Sequence, residues 1–161
     1  MRDPKTKARN YVYMLLSKKS YTKKEIVDRL KRKLYDEKVI GAVVKEFEDE
    51  GWLNDRRYAR AFAADSKTFN RVGKRLVRIK LMRKGVDREI IESAVEKAYE
   101  GVDEYEMALE LASKRMRSLQ KLEKQAAARR LQGFLARKGY NMDVIIKVVK
   151  KVLSGAVYDE G

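Results

Sequence analysis

Three near copies of one nine-residue phrase constrain the fold of this chain more than any other feature. RKLYDEKVI begins at Arg32, RKGVDREII at Arg83 and RKGYNMDVI at Arg137, so the copies lie 51 and 54 residues apart. With these shifts, apolar residues of helical spacing coincide in all three copies: Ile26, Val77 and Leu131; Leu30, Leu81 and Leu135; Ile40, Ile91 and Ile145. Because both period and apolar character survive the shift, the chain contains a threefold internal repeat.

Each repeat has the pattern of consecutive helices. In the first repeat, Thr22 with Glu25 forms the sequence of a capping box, which predicts that a helix begins there. A further helix is expected from about Asp36 to Gly51, whose missing Cβ suits a left-handed C-terminal cap. The one proline, Pro4, precedes all of these segments, so no proline interrupts a predicted helix.

The repeated phrase is predicted to be the joint between the second and third helices of each repeat. Gly85 and Gly139 supply residues that readily adopt positive φ, and Asp87 and Asn141 are positioned to cap the next helix. Leu34 replaces the glycine in the first copy, so that joint must close differently or under strain.

The resulting fold prediction is all-α, with about nine helices in three tandem three-helix repeats at 1–53, 54–102 and 103–161. The segments between repeats are short. Asn54 or Asp55 is expected to cap the helix that opens the second repeat, and Gly101 with Asp103 leads into the third. Stacked repeats of this kind form an elongated or curved body in which neighbours share small interfaces.

Composition limits the chemistry. The chain has no cysteine and no histidine, which excludes disulfides, thiol nucleophiles, imidazole bases and the usual zinc ligands. Gly73-Lys74-Arg75 lacks the other residues of a phosphate-binding loop, and no carboxylate cluster suggests a catalytic metal. No apolar run approaches a membrane span. We therefore predict a cytoplasmic, monomeric protein that is not an enzyme, with no cofactor, no metal and no membrane partner.

Charge points to an anionic partner. There are 39 Lys and Arg residues against 24 Asp and Glu, a net charge of +15. Nucleic acid and acidic protein faces fit this balance. A basic surface that serves only solubility explains the same composition.

The sequences of the joints resemble the RecX family of RecA regulators. The resemblance rests on GWLNDRRYARAF at 51–62, on NRVGKRLVRIKLMRKGVDREII after it, and on RRLQGFLARKGYNMDVI in the third repeat. It extends from about Ala8 to Leu153. The resemblance implies a regulator of recombinational DNA repair that binds the RecA filament and modulates, usually inhibits, its ATPase and strand exchange. The implied partners are the RecA filament and single-stranded DNA or the RecA–DNA complex.

The middle repeat carries eight basic residues and no acid between Ser66 and Val86. Seven of them are candidate contacts for RecA or DNA: Lys67, Arg71, Lys74, Arg75, Arg78, Arg83 and Lys84. If the segment forms one continuous helix, five of these basic residues share a face that points away from the core positions Val77 and Leu81. They are Lys67, Arg71, Lys74, Arg75 and Arg78. We expect Arg71, Arg75 and Arg78 to be largely exposed and this repeat to be central to function. Alternatively, Gly73 begins a new helix, and the stripe shortens to Lys74, Arg75 and Arg78.

The third repeat offers a second candidate surface. Its predicted contacts are Lys121, Lys124, Arg129, Arg130, Arg137 and Lys138, within a basic stretch that also holds Lys114, Arg115 and Arg117. The first repeat has instead an acidic cluster, Glu46, Glu48, Asp49 and Glu50, which could meet a basic partner face or be ordinary surface. Phe69, just before the basic segment, is a candidate platform for an unpaired base.

Three functions remain open from sequence. The first is a regulator that lies along a recombinase filament, which repeat architecture and family resemblance favour. The second is a nonspecific nucleic-acid-binding helical module, which net charge alone favours. The third is a helical scaffold for another acidic protein.

Overall fold

The computed structural model describes residues 2–155, and this part of the chain contains nine α-helices and no strand. The helices are α1 Pro4–Lys18, α2 Lys23–Arg32, α3 Glu37–Asp49, α4 Asp55–Thr68, α5 Lys74–Arg83, α6 Arg88–Ala98, α7 Glu104–Met116, α8 Lys124–Arg137 and α9 Met142–Ser154. A 3₁₀ turn, Arg117–Leu119, follows α7. The all-α prediction is confirmed.

Helix starts follow local hydrogen-bonding chemistry. Thr22 Oγ1 accepts from the backbone N–H of Glu25 at 3.2 Å, and the Glu25 carboxylate accepts from the N–H of Thr22 at 3.0 Å, which confirms the capping box. Asp36 and Asn54 each accept a backbone N–H of the helix that they precede, at 2.9 and 3.0 Å. Asn141 occupies the N-cap position of α9 but makes no capping hydrogen bond with its side chain, so that part of the prediction is wrong.

Burial follows the repeat. The six aligned positions on the second helices are completely buried: Ile26, Val77, Leu131, Leu30, Leu81 and Leu135. Val39, Ile90 and Val144, which align with one another, are all half-buried. These equivalent positions therefore have the same degree of burial, because each second helix buries the same apolar stripe.

The packing divides into two compact units. The first comprises Met1–Phe62 with Lys80–Ala94, and the second comprises Ala63–Ile79 with Val95–Gly161. In the first unit α3 packs on α1 and α2; in the second, α9 packs on α7 and α8. The helices of the middle repeat contribute segments to both units.

The joints have the backbone conformation that the sequence predicts. Gly85 and Gly139 have φ of 81° and 90°. Leu34 adopts the same left-handed region, with φ of 64°, and its side chain is 91% exposed. A left-handed residue with a Cβ is strained by about 1–2 kcal/mol. The first joint therefore closes like the others but with backbone strain, as predicted.

The phrase also ties the second and third joints to the repeat that precedes each of them. Within the first unit, the Thr22 hydroxyl donates to the carbonyl of Lys84 at 2.6 Å. Within the second unit, the N–H of Gly73 donates to the carbonyl of Lys138 at 2.7 Å. Thr22 and Gly73 each stand immediately before the second helix of their repeat. In both units, the carbonyl of the lysine in the repeated phrase therefore accepts a hydrogen bond from the residue just before a second helix.

Close packing at these joints explains where glycine is needed. A Cβ added to Gly139 would lie 2.9 Å from the backbone nitrogen of Leu76, and one added to Gly85 would lie 2.8 Å from Cγ of Lys24. Both contacts are too short for real Cβ atoms. Leu34 meets no such neighbour, because its side chain points into solvent. Glycine is therefore kept where a joint packs on another repeat and is absent where it does not.

Candidate nucleic-acid interface

The basic segment of the middle repeat does not lie on one helix. Helix α4 ends at Thr68 and α5 begins at Lys74, and Arg71 between them has φ of 52°. The interpretation as one continuous helix is therefore wrong, and the alternative in which Gly73 precedes a new helix is correct. Lys67 and Arg71 accordingly lie off the axis of α5.

Two buried phenols hold the intervening loop. The Tyr140 hydroxyl donates to the carbonyl of Arg71 at 2.6 Å, and the Tyr99 hydroxyl donates to the carbonyl of Val72. Burial raises the pKa of both tyrosines, so their hydroxyls remain protonated donors. The loop conformation is thus fixed by side chains that come from the end of α6 and from the α8–α9 joint.

Lys74 and Lys138 take part in this local structure. The ammonium group of Lys138 donates to the carbonyl of Asn70 at 2.8 Å. The backbone N–H of Lys74, the first residue of α5, donates to the carboxylate of Glu104 at 2.9 Å. Both lysine side chains are half-buried. The ammonium group of Lys138 is thus already hydrogen-bonded, which weakens its prediction as a partner contact, whereas the contact of Lys74 is made by its backbone.

Lys67 and Arg71 face carboxylates. Both line a cavity of about 680 Å³ together with Asp103, Glu106 and Glu110. The Arg71 guanidinium lies 3.6 Å from the Glu110 carboxylate. Since positive and negative groups line the same cavity, its field is largely balanced and offers little attraction to an anion.

The other middle-repeat candidates are dispersed. Arg75 and Arg83 are exposed, whereas Arg78 is half-buried. Lys84 is also half-buried, and its ammonium group lies 3.8 Å from the carboxylate of Glu25. The expectation of large exposure therefore holds for Arg75 and is wrong for Arg71 and Arg78. Phe69, the candidate stacking platform, is 77% exposed.

The third repeat instead brings arginines together in one groove of the second unit. The groove has a volume of about 500 Å³ and is lined by Arg115, Ala126, Arg129, Arg130, Gly133 and Arg137. We call it the arginine groove. Three of its four arginines are predicted contacts. Arg115 belongs to the basic stretch noted in the sequence but was not among the predicted contacts, because its position beside α8 depends on how α7 packs. Lys121 and Lys124 are exposed but do not line the groove.

The arginine groove is strongly cationic. All four arginine side chains are exposed, and none forms an ion pair with a carboxylate among residues 2–155. The Arg115 guanidinium lies over the ring of Phe134, 5.4 Å from its centroid. This cation–π contact orients one arginine along the groove while leaving the N–H groups at its edge available.

The acidic cluster of the first repeat has internal partners. Three of its carboxylates pair with cations of the first unit: Glu46 with Arg9 at 2.8 Å, Glu48 with Lys23 at 3.1 Å, and Asp49 with Lys45 at 3.0 Å. These pairs favour the interpretation of the cluster as ordinary surface structure over that of a partner contact.

Metal binding and membrane insertion each require a particular arrangement of residues. Among residues 2–155, no group of three or more acidic residues is arranged to hold a metal ion. None of the helices in that range is both long and apolar enough to span a membrane.

Family models match the three repeats in order. The models describe the first, second and third three-helix domains of RecX and match residues 8–47, 54–95 and 103–149. The arginine groove lies within the third of these matched segments.

Individual relatives cover nearly the whole chain. Regulatory protein RecX of Amycolatopsis mediterranei is 33% identical over 147 residues, which are 91% of this chain and 83% of that protein. Regulatory protein RecX of Clostridium botulinum strain Eklund 17B is 32% identical over 160 residues, or 98% and 74% of the two chains. The crystal structure of RecX from Lactobacillus salivarius superposes with a TM-score of 0.75 at 22% identity and covers 92% of this chain and 96% of that one.

Proposed function

The chain belongs to the RecX family, and from this premise we propose that it regulates RecA by binding the recombinase filament on DNA and slowing its ATP hydrolysis and strand exchange. The observation that carries the proposal is the match of three successive RecX domains to the three repeats. Relatives that match 91% and 98% of the chain are named regulatory proteins. The chain would thereby regulate recombinational DNA repair in the cytoplasm.

The mechanism that we propose is one of binding. A RecA filament on single-stranded DNA carries a continuous line of phosphates, and an arginine groove without carboxylate partners among the described residues suits such a polyanion. ATP would be hydrolysed by RecA, and the chain would change the rate of that reaction. We further propose that the chain acts as a monomer with repeat boundaries at 1–53, 54–102 and 103–161.

Co-sedimentation with filaments tests the binding step. RecA is assembled with a slowly hydrolysed ATP analogue on an oligonucleotide too short to sediment alone, and the chain is then added. We expect the chain to enter the pellet with RecA and to stay in the supernatant when RecA is omitted. A chain that stays in the supernatant at saturating filament would contradict the proposal.

A nonspecific nucleic-acid-binding module is the second candidate function. The arginine groove favours it, because phosphate attraction requires no RecA. Under this alternative, the chain binds bare DNA equally well and gains nothing from the presence of a filament.

A further inference from the structure

We propose that the arginine groove binds consecutive phosphates of single-stranded nucleic acid and does not read the base sequence. The proposal rests on the proposed function and deepens it by naming the chemistry that one surface recognises. Phosphate binding by the groove is measured in the absence of RecA, so a failure of this proposal can be distinguished from a failure of the proposed regulation of RecA.

Charge and donor geometry carry the first step. Arg115, Arg129, Arg130 and Arg137 are exposed around one groove, with no carboxylate partner among the described residues. Each guanidinium offers a planar fork of donors that matches two phosphate oxygens. Arg129 and Arg137 lie eight residues apart on α8, which is about 12 Å along the helix axis. The groove can therefore engage more than one phosphate of a strand.

Part of the groove is specific to the third repeat. Arg129 and Arg137 are basic in every copy, since they align with Arg75 and Lys24 and with Arg83 and Arg32, but Gly133 and Arg130 are not. Gly133 aligns with Ile79 and Asp28 of the other repeats, and Arg130 aligns with Leu76 and Glu25. The aligned core residues are apolar in every copy, whereas these groove positions change their chemical character. Packing of the three-helix repeat therefore does not require an arginine or a glycine at these places.

Gly133 makes room for Arg137. It lies inside α8, where glycine is the poorest helix former after proline. A Cβ at this position would lie 3.1 Å from Nη1 of Arg137, so the guanidinium would have to shift by a few tenths of an ångström. The glycine thus weakens the helix and leaves the position of the Arg137 guanidinium unhindered.

The aromatic residue beside the groove favours backbone recognition. Phe134 is half-buried, and one face of its ring is occupied by the Arg115 guanidinium. That face cannot stack on a base at the same time. Phosphate contacts position a nucleic acid but carry no sequence information. A flexible single strand can follow a concave groove. Its regularly spaced phosphates match a row of guanidinium groups better than the irregularly spaced carboxylates of an acidic protein do.

The first experiment compares two variants that have the same net charge. Arg129→Gln/Arg130→Gln removes two groove arginines. Arg56→Gln/Arg60→Gln removes two exposed arginines of α4 that have no ion pair among residues 2–155. Fluorescence anisotropy measures binding to labelled oligothymidylate and oligodeoxyadenylate over a range of salt concentrations. Circular dichroism checks that both variants fold.

We expect the groove variant to bind roughly tenfold more weakly for each arginine removed, because each substitution deletes a hydrogen bond to a charged group. The slope of log K against log salt should fall in magnitude by about 1.4, or about 0.7 for each phosphate that the protein no longer neutralises. The α4 variant should keep its parent slope, and the two oligonucleotides should bind alike. Equal weakening of both variants would overturn the proposal, as would binding of polyglutamate but not of oligonucleotide.

A second pair of variants tests the role of Gly133. Gly133→Ala should raise the melting temperature yet bind oligothymidylate slightly more weakly than its control does, because the new Cβ shifts the Arg137 guanidinium by a few tenths of an ångström. Gly41→Ala is the matched control, since Gly41 lies within α3 and a Cβ there meets no atom within 4 Å. It should raise the melting temperature and leave binding unchanged. If Gly133→Ala binds oligothymidylate as tightly as Gly41→Ala does, the position of Arg137 in the groove does not contribute to phosphate binding.

Discussion

Replacing Gly139 with alanine is expected to lower the free energy of unfolding by about 2–5 kcal/mol. Two costs combine. At φ of 90° a Cβ is strained by its own backbone, and here it would also lie 2.9 Å from the backbone nitrogen of Leu76. The hydrogen bond from Gly73 to the Lys138 carbonyl is formed at the same contact. Urea unfolding followed by circular dichroism measures the difference.

Leu34→Gly is the matched control for the backbone cost alone. Leu34 occupies the same place in its repeat with φ of 64°, but its side chain is 91% exposed. Glycine relieves about 1–2 kcal/mol of left-handed strain and costs about 0.5–1 kcal/mol in unfolded-chain entropy, so stability should rise slightly. If Gly139→Ala lowered stability by less than about 1 kcal/mol, the joint would not be a close contact between repeats.

Reversing two charges in the arginine groove should remove most of the chain's effect on RecA. In Arg129→Glu/Arg130→Glu each change removes an attraction to phosphate and adds a repulsion, which together can cost several kcal/mol of binding. Both residues are exposed, so stability should change by about 0.5 kcal/mol or less for each. The measurement is inhibition of RecA ATP hydrolysis at a concentration where the parent chain saturates.

Arg75→Glu provides the comparison from the middle repeat. Arg75 is exposed on α5 and is not among the residues that line the arginine groove. Arg71 is unsuitable, because its reversal would also replace its ion pair with Glu110 by a pair of like charges. We expect Arg75→Glu to keep most of the inhibition. If Arg75→Glu inhibited RecA less than Arg129→Glu/Arg130→Glu does, the contact with the filament would lie in the middle repeat instead.

The fold was predictable where the cause is local. Helix caps such as Thr22 and Asp36, and glycines that adopt positive φ, act within a few residues of the chain. The buried faces also follow from periodicity, as Val77 and Leu81 show, because a helix must bury its apolar stripe somewhere.

The site was less predictable because its causes are distant in sequence. The conformation of the loop between α4 and α5 is held by Tyr140, whose hydroxyl donates to the carbonyl of Arg71, 69 residues away. The neutralisation of Arg71 by Glu110 likewise depends on how α7 packs. Arg115 joins the groove only because α7 lies beside α8. Charge counting along the sequence cannot distinguish arginines that face carboxylates from arginines that do not.

Regulation of RecA can be measured by titrating the parent chain into RecA that is hydrolysing ATP on single-stranded DNA. We expect ATP hydrolysis to slow as the chain is added and to reach a plateau well below the rate of RecA alone. The Arg129→Glu/Arg130→Glu variant should leave that rate nearly unchanged. A parent chain that does not alter hydrolysis at saturating concentration would contradict the claim that it regulates RecA.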